Sequence, residues 1–201
     1  GGVVGELGEG TVSDCMTYGD VTARKGSYAG GIAGRAVGRI EHCQTSAYVE
    51  AEISDAGGIV GFGAAVFGCF SNAFVGEGTG DRFGLIAGTA TLAETERNFY
   101  IEGTPRGIGG IEYGEQSNYA ACSRSAADCA SVGMLSPLLT LDADRFLAGE
   151  TEPRYPTPRA FDEVVLPDRL SDEVGFTARF DAFRVSVRDA IDTGGRQSVT
   201  V

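Results

Sequence analysis

The chain has 201 residues, a formal net charge of −12, 42% hydrophobic residues and 31 glycines. This hydrophobic share supports a packed core and excludes wholesale disorder, while the acidic balance excludes electrostatic attraction to nucleic acid or anionic membranes. No run of about 18 apolar residues occurs, which excludes a membrane-spanning helix and predicts no direct membrane insertion.

From its first residue the sequence repeats itself. Gly1-Gly2-Val3-Val4-Gly5 returns as Gly30-Gly31-Ile32-Ala33-Gly34 and Gly57-Gly58-Ile59-Val60-Gly61. Worn forms follow at Phe83-Gly84-Leu85-Ile86-Ala87 and Gly109-Gly110-Ile111-Glu112-Tyr113. With second glycines at 2, 31, 58, 84 and 110, the period settles near 26 residues. A period of that size means one small unit stacked on copies of itself. The chain opens inside a repeat, without a basic-then-apolar leader, so targeting signals are expected to lie outside it.

A second block follows each phrase at a variable distance. Val12, Ile40, Val66 and Leu92 each stand three residues before Cys15, Cys43, Cys69 and Thr95, and six residues beyond these come Val21, Val49, Val75 and Ile101. Helical periodicity is absent, and glycines at this density would cost a helix about 1 kcal/mol each. Short β-branched and aromatic stretches punctuated by glycine suit short strands and tight turns. The predicted fold of residues 1–114 is all-β, a short parallel β-solenoid (β-helix-like) of four to five rungs about 4.8 Å apart, with a C-terminal cap and a small β segment to follow. Equivalent apolar residues then stack inward as ladders. The cysteines pack among them as small apolar residues, with Cys122 expected in their column one rung beyond Thr95. Parallel side-chain vectors suit a disulfide poorly, so free thiols are expected in the column. A local Cys122–Cys129 disulfide stands open for an exported chain.

Composition changes near Gly114, since 26 of the 31 glycines lie within residues 1–114. Residues 115–160 read as a capping and linker region. Ser136-Pro137 opens a short helix that Gly149 ends, with Leu138, Leu139, Leu141 and Phe146 facing the rod, and Glu152–Pro158 is an extended linker. Residues 161–201 alternate with period two, placing Val174, Phe176, Ala178 and Phe180 on one face. They predict a β-hairpin or the start of a β-sandwich module.

Catalytic, cofactor and metal sites are all expected to be absent. His42 is the only histidine, and strand alternation turns it outward from Cys43, exposed and inert. The cysteines lie on separate rungs without a C-x2-C pair, and no nucleophile-elbow or phosphate-loop sequence occurs. Asp14, Asp20, Glu41, Glu50, Glu52 and Asp81 are expected on the outer surface as solubilising groups. A glycosidase would need two of them held roughly 5–10 Å apart in a cleft. Tyr18, Tyr28, Tyr48, Phe62 and Tyr113 clustered on one face would instead favour sugar stacking.

With its Gly-Gly-apolar-apolar-Gly phrase, the following cysteine and the Ala-Tyr-Val or Ala-Phe-Val step, the chain resembles the GLUG-motif repeats of bacterial surface proteins. Gly30 to Val49 and Gly57 to Val75 carry the resemblance, and Gly1 to Val21 carries it more loosely. Asn98-Phe99-Tyr100-Ile101 followed by Gly109-Gly110-Ile111 is similar to the close of such arrays. Phe146-Leu147-Ala148-Gly149 and Tyr155-Pro156 are similar to the tail that follows them. The resemblance implies a cell-surface or extracellular, adhesin-like setting and brings no catalytic residue or cofactor. The expected function is thus a non-catalytic structural or adhesive spacer whose partners are neighbouring domains of a larger surface protein. A carbohydrate- or protein-binding module engaging a host or cell-surface glycan or protein is the alternative, and a polysaccharide-degrading enzyme is the third reading.

Overall fold

The computed structural model describes residues 1–24, 28–76, 82–91, 95–101, 106–113, 122–124, 141–147 and 155–161. The chain divides into two compact units, Gly1–Ala160 and Phe161–Val201. The period-two residues beyond Phe161, and the Cys122–Cys129 question, lie outside what is described, as do Leu92, Asp81 and the Ser136-Pro137 helix start.

The first unit is a parallel β-solenoid. Its widest sheet stacks Val4–Leu7, Ala33–Glu41, Val60–Phe67, Ala87–Thr91 and Ile108–Tyr113 in that order, with Thr11–Ser13 pairing beside Ala33–Glu41. A second sheet stacks Met16–Thr17, Gln44–Thr45, Phe70–Ser71, Phe99–Ile101 and Cys122–Arg124. Two three-stranded sheets close each turn, one of Asp20–Ala23, Tyr48–Ala51 and Phe74–Gly76, the other of Ala29–Gly30, Ala56–Gly57 and Phe83–Gly84. About three turns pass through all four sheets, and the first two sheets continue beyond them. Among the described residues there is no α-helix.

The interior follows from the columns. Val12 pairs with Ile40 and Ile40 with Val66, while Val21 pairs with Val49 and Val49 with Val75. Ile32, Ile59 and Ile86 form a further ladder, the amide of each donating to the carbonyl one turn ahead. Burying such a side chain contributes about 1.5–3 kcal/mol, and stacking is what makes the burial possible for so short a repeat.

Two apolar clusters fill the rod. One gathers Ile32, Ile40, Cys43, Ile59, Val66, Cys69 and Ile86, and the other Ala29, Val49, Ala56, Val75 and Leu85. In the second sheet a row of buried hydroxyls, Thr17, Thr45 and Ser71, runs up the rod, with Thr17 Oγ1 donating to Thr45 Oγ1 at 2.9 Å. This row, together with the backbone carbonyl of the next turn, explains the second glycine of the phrase. A Cβ on Gly31 would land on Thr45 Oγ1, and one on Gly58 would land on Ser71 Oγ.

Register departs from the sequence expectation in the fourth and fifth turns. Gly84 pairs with Gly57, so it is the first glycine of its phrase, and Leu85 takes the place of the second. The opposing residue has changed too: Tyr100 pairs with Ser71, and Leu85 and Tyr100 pack in the same cluster. Ile108 pairs with Ala87, which sets Gly110 beside Thr89 rather than in the glycine column. Phe99, not Tyr100 or Ile101, continues from Phe70, so Ile101 lies outside the Val21/Val49/Val75 column. Cys122 pairs with Phe99 and falls one place beyond the cysteine column.

The region after the repeats also differs. Leu141 and Phe146 are buried against Phe70 and Phe99, as their apolar character requires, but residues 143–145 form a turn and Phe146–Leu147 is a strand antiparallel to Thr157–Pro158. Tyr155 adds its ring 6.0 Å from that of Phe70. This flank segment covers the outer side of the second sheet.

Candidate functional site

The chemistry-bearing residues converge where the first sheet bends into the second. At that corner each turn places one residue in the left-handed backbone region: Asp14 at φ 53°, His42 at 53°, Gly68 at 60° and Arg97 at 58°. Three are not glycine, which is uncommon, and aspartate and histidine are among the residues that tolerate the conformation best. The residue after each is Cys15, Cys43, Cys69 and Asn98. The cysteine column therefore ends in Asn98, not Thr95. Thr95 instead takes the place of Val66's successor, its Oγ1 accepting the Val66 amide at 3.3 Å, while Phe67 bridges to Glu96.

The corner explains the residue type in this column. Each thiol turns back to the carbonyl two residues earlier: Cys15 Sγ to Ser13 O at 3.2 Å, Cys43 Sγ to Glu41 O at 3.3 Å and Cys69 Sγ to Phe67 O at 3.5 Å. The side chain of the next turn accepts the amide of the one before, Cys43 N–H reaching Cys69 Sγ at 3.4 Å and Cys69 N–H reaching Asn98 Oδ1 at 2.9 Å. Asn98 Nδ2 donates to Val66 O at 2.7 Å. A small side chain able both to donate and to accept is what the bend needs, since buried amides left unpaired cost about 1–3 kcal/mol each.

Cys15, Cys43 and Cys69 are free, as the column geometry predicts. Cys15 and Cys43 are chemically quiet. The bond with Cys43 and burial hold the Cys15 thiol far above its usual value. For Cys43 the bond with Cys15 lowers the value, but the bond with Cys69 and burial raise it by more. Neither Cys15 nor Cys43 is a thiolate at neutral pH, so neither is poised as a nucleophile, and Cys69 is fully buried.

His42 is buried at 7% exposure, against the expectation of an exposed side chain. Its left-handed backbone lays the imidazole over Gly68, where an added Cβ would come 3.1 Å from Cδ2, and the ring meets Phe67 edge-on at 5.9 Å. Arg39 and Arg97 lie over the same Phe67 ring at 5.1 and 5.8 Å. Burial, then the Arg145 charge, depress the His42 pKa below its ordinary 6.5, outweighing Glu41, Asp14 and Asp142. Among the described residues neither His42 Nδ1 nor the buried Gln44 Oε1 has a hydrogen-bond partner.

The acidic candidates are dispersed. Asp14 pairs with Arg145 at 3.5 Å, Glu41 with Arg39 at 2.8 Å, and Glu50 accepts the Tyr48 hydroxyl at 3.5 Å. Asp20 and Glu52 are exposed. Among the described residues no group of three histidines, cysteines or acids could hold a metal ion.

Of the aromatic candidates, Tyr28 and Phe62 stack on each other at 4.8 Å, and Tyr48 stacks at 5.3 Å on Phe74, which the sequence had not singled out. Tyr18 is pushed up to about 12 by burial, against lowering bonds from Ser46 and Gln44. Tyr113 ends a strand of the widest sheet, and its side chain lies outside what is described.

Sequence reasoning missed Asn98, Arg97 and Gln44. The one signal for Asn98 was its kinship to cysteine as a small donor and acceptor, which an alignment of apolar spacing passes over. Comparison of the chain with protein-family models, with curated proteins and with solved structures returns no match.

Proposed function

We propose that this chain is a non-catalytic structural or adhesive repeat segment of a bacterial surface or secreted protein, of the GLUG-motif kind, serving as a rigid spacer or presentation rod. The observation that carries this reading is continuity of register. Val12–Ile40–Val66, Val21–Val49–Val75 and Gly30–Gly57–Gly84 align turn upon turn along one axis. A rod built that way bends only by breaking ladder hydrogen bonds and uncovering apolar columns.

The outer surface supports the same reading. Tyr48 and Phe74 lie 11° from parallel, stacked on each other across adjacent turns, so each covers one face of its partner. A sugar platform would need those faces open. Arg35 and Glu6 form a further cross-turn pair at 2.5 Å. Outer side chains thus tie turns together. The partners of such a rod are the neighbouring domains of its own protein, and its place is extracellular or on the cell surface.

The test is a distance measurement. Dyes at Glu9 and Arg106, on the intact chain, should report one narrow distance that persists in denaturant until a single cooperative melt. A broad distribution in native buffer would overturn the spacer reading. The carbohydrate- or protein-binding reading rests on the exposure of Phe74, 52%, and Tyr48, 37%. Glycan-array binding by the parent chain, lost in Phe74→Ala, would replace the spacer with it. Turnover of a polysaccharide that an Asp or Glu→Ala change abolishes would replace both with an enzyme.

A further inference from the structure

His42 lies where the rod and its flank segment meet. Below it is Gly68, and beside it stands the edge of Phe67. The charged groups around it come from each neighbouring element. Glu41 precedes it at the end of strand Ala33–Glu41, Asp14 stands one turn back, and Arg39 and Arg97 lie over Phe67. Asp142 and Arg145 approach from the flank. Arg145 is bonded to Asp14 at 3.5 Å, so an ion pair and the packing of Leu141, Phe146 and Tyr155 on Phe70 and Phe99 hold the flank in place.

We propose that His42 is an acid-sensitive latch whose protonation releases the flank residues 141–147 and 155–160 while the solenoid stays folded. Three observations converge on it. A charged imidazole cannot be hydrated at 7% exposure, and Arg145 would face it with the same sign. A buried polar atom, His42 Nδ1, has no partner among the described residues while the flank is closed, so opening lets water reach it. The inner ladders through Ile40, Val49 and Val66 make no use of the imidazole, so they survive its exposure.

The direction in pH follows from linkage. With the flank closed, His42 titrates below its ordinary 6.5. Once the flank opens it titrates near that value. The open form therefore binds more protons between the two values. Closure is at full strength above 6.5, weakens as pH falls through the window, and levels off below the closed-state value.

Hydrogen exchange on the full chain tests this. The reporters are the amides of Phe146 and Arg159, bonded to the carbonyls of Asp142 and Arg145. After correction for the intrinsic pH dependence of exchange, their protection should fall by up to about tenfold for each pH unit below 6.5, while the amides of Ile59 and Val60 keep theirs. His42→Asn, which keeps a residue tolerant of the left-handed backbone, should remove the dependence. Flank protection unchanged between pH 7.5 and 5, the same loss in His42→Asn, or parallel loss in the rod would each overturn the latch. Should that variant fail to fold, the parent decides alone. Its single imidazole, followed by NMR, should titrate below 6.5 in step with flank exchange, and titration at 6.5 with the flank still protected would overturn the proposal.

Discussion

The backbone amide of Cys69 donates to the side-chain oxygen of Asn98, one turn further along the rod, at 2.9 Å. The same asparagine donates to Val66 O at 2.7 Å, so one side chain satisfies two buried backbone groups of the preceding turn. Asn98→Ala should therefore lower stability by about 2–6 kcal/mol, two groups at about 1–3 each. Asn98→Cys, which restores the residue of the earlier turns, should cost clearly less. Urea melts of the two variants check the order. Equal loss in both would mean that volume, not hydrogen bonding, governs the column.

The thiol column makes a chemical prediction. Cys43 and Cys69 are fully buried, and burial together with neighbouring thiols keeps Cys15 and Cys43 protonated. In a Cys122→Ser, Cys129→Ser background, a disulfide-exchange reagent at pH 8 should leave Cys43 and Cys69 unmodified over the time in which a free cysteine reacts to completion. All three column thiols should react at once in denaturant. Modification of Cys43 in native buffer at the free rate would place it outside the core.

Much of this architecture was legible because a stacked repeat writes its core into the sequence as columns. Val12/Ile40/Val66 and Val21/Val49/Val75 are paired as their spacing implies. What spacing could not reveal was where a turn takes up extra chain. Phe62 pairs with Thr89, but Phe67 bridges to Glu96, so the added residues fall between Thr89 and Thr95, and apolar matching slid three places there. The corner itself fixes the true register, because Arg97 repeats the left-handed backbone of Gly68 and Asn98 the bonding of Cys69. His42 was misjudged for a related reason. Alternation speaks of extended strands, and a left-handed residue at a bend under a covering segment is not one.

The glycine phrase can be tested at Gly58. Its Cβ direction is closed by both Ser71 Oγ and the Leu85 carbonyl. Gly58→Ala should destabilise the rod by about 1–3 kcal/mol, the usual cost of overpacking. Adding Ser71→Ala should recover only part of this, since the carbonyl stays in place. Complete recovery in the double variant, measured by thermal melting, would show that the hydroxyl alone demands glycine there.

Two valines separate the column logic from general sensitivity to charge. Val49 is fully buried between Val21 and Val75, whereas Val37, in the longest strand of the widest sheet, is 64% exposed. An aspartate at either site adds one negative charge to a chain already at −12, so their effects on overall repulsion are alike. They differ in burial alone. Val49→Asp would place an unpaired carboxylate in an apolar ladder, where its desolvation exceeds the stability of a typical domain, about 5–15 kcal/mol, unless it is neutralised. Raising its own pKa is the cheapest escape, so the variant should be unfolded at pH 7 and regain structure as the pH is lowered towards 4. Val37→Asp should melt with the parent within about 0.5 kcal/mol. Circular dichroism of both variants across pH decides the matter. Native-like melting of Val49→Asp at pH 7 would mean that its column does not face the core.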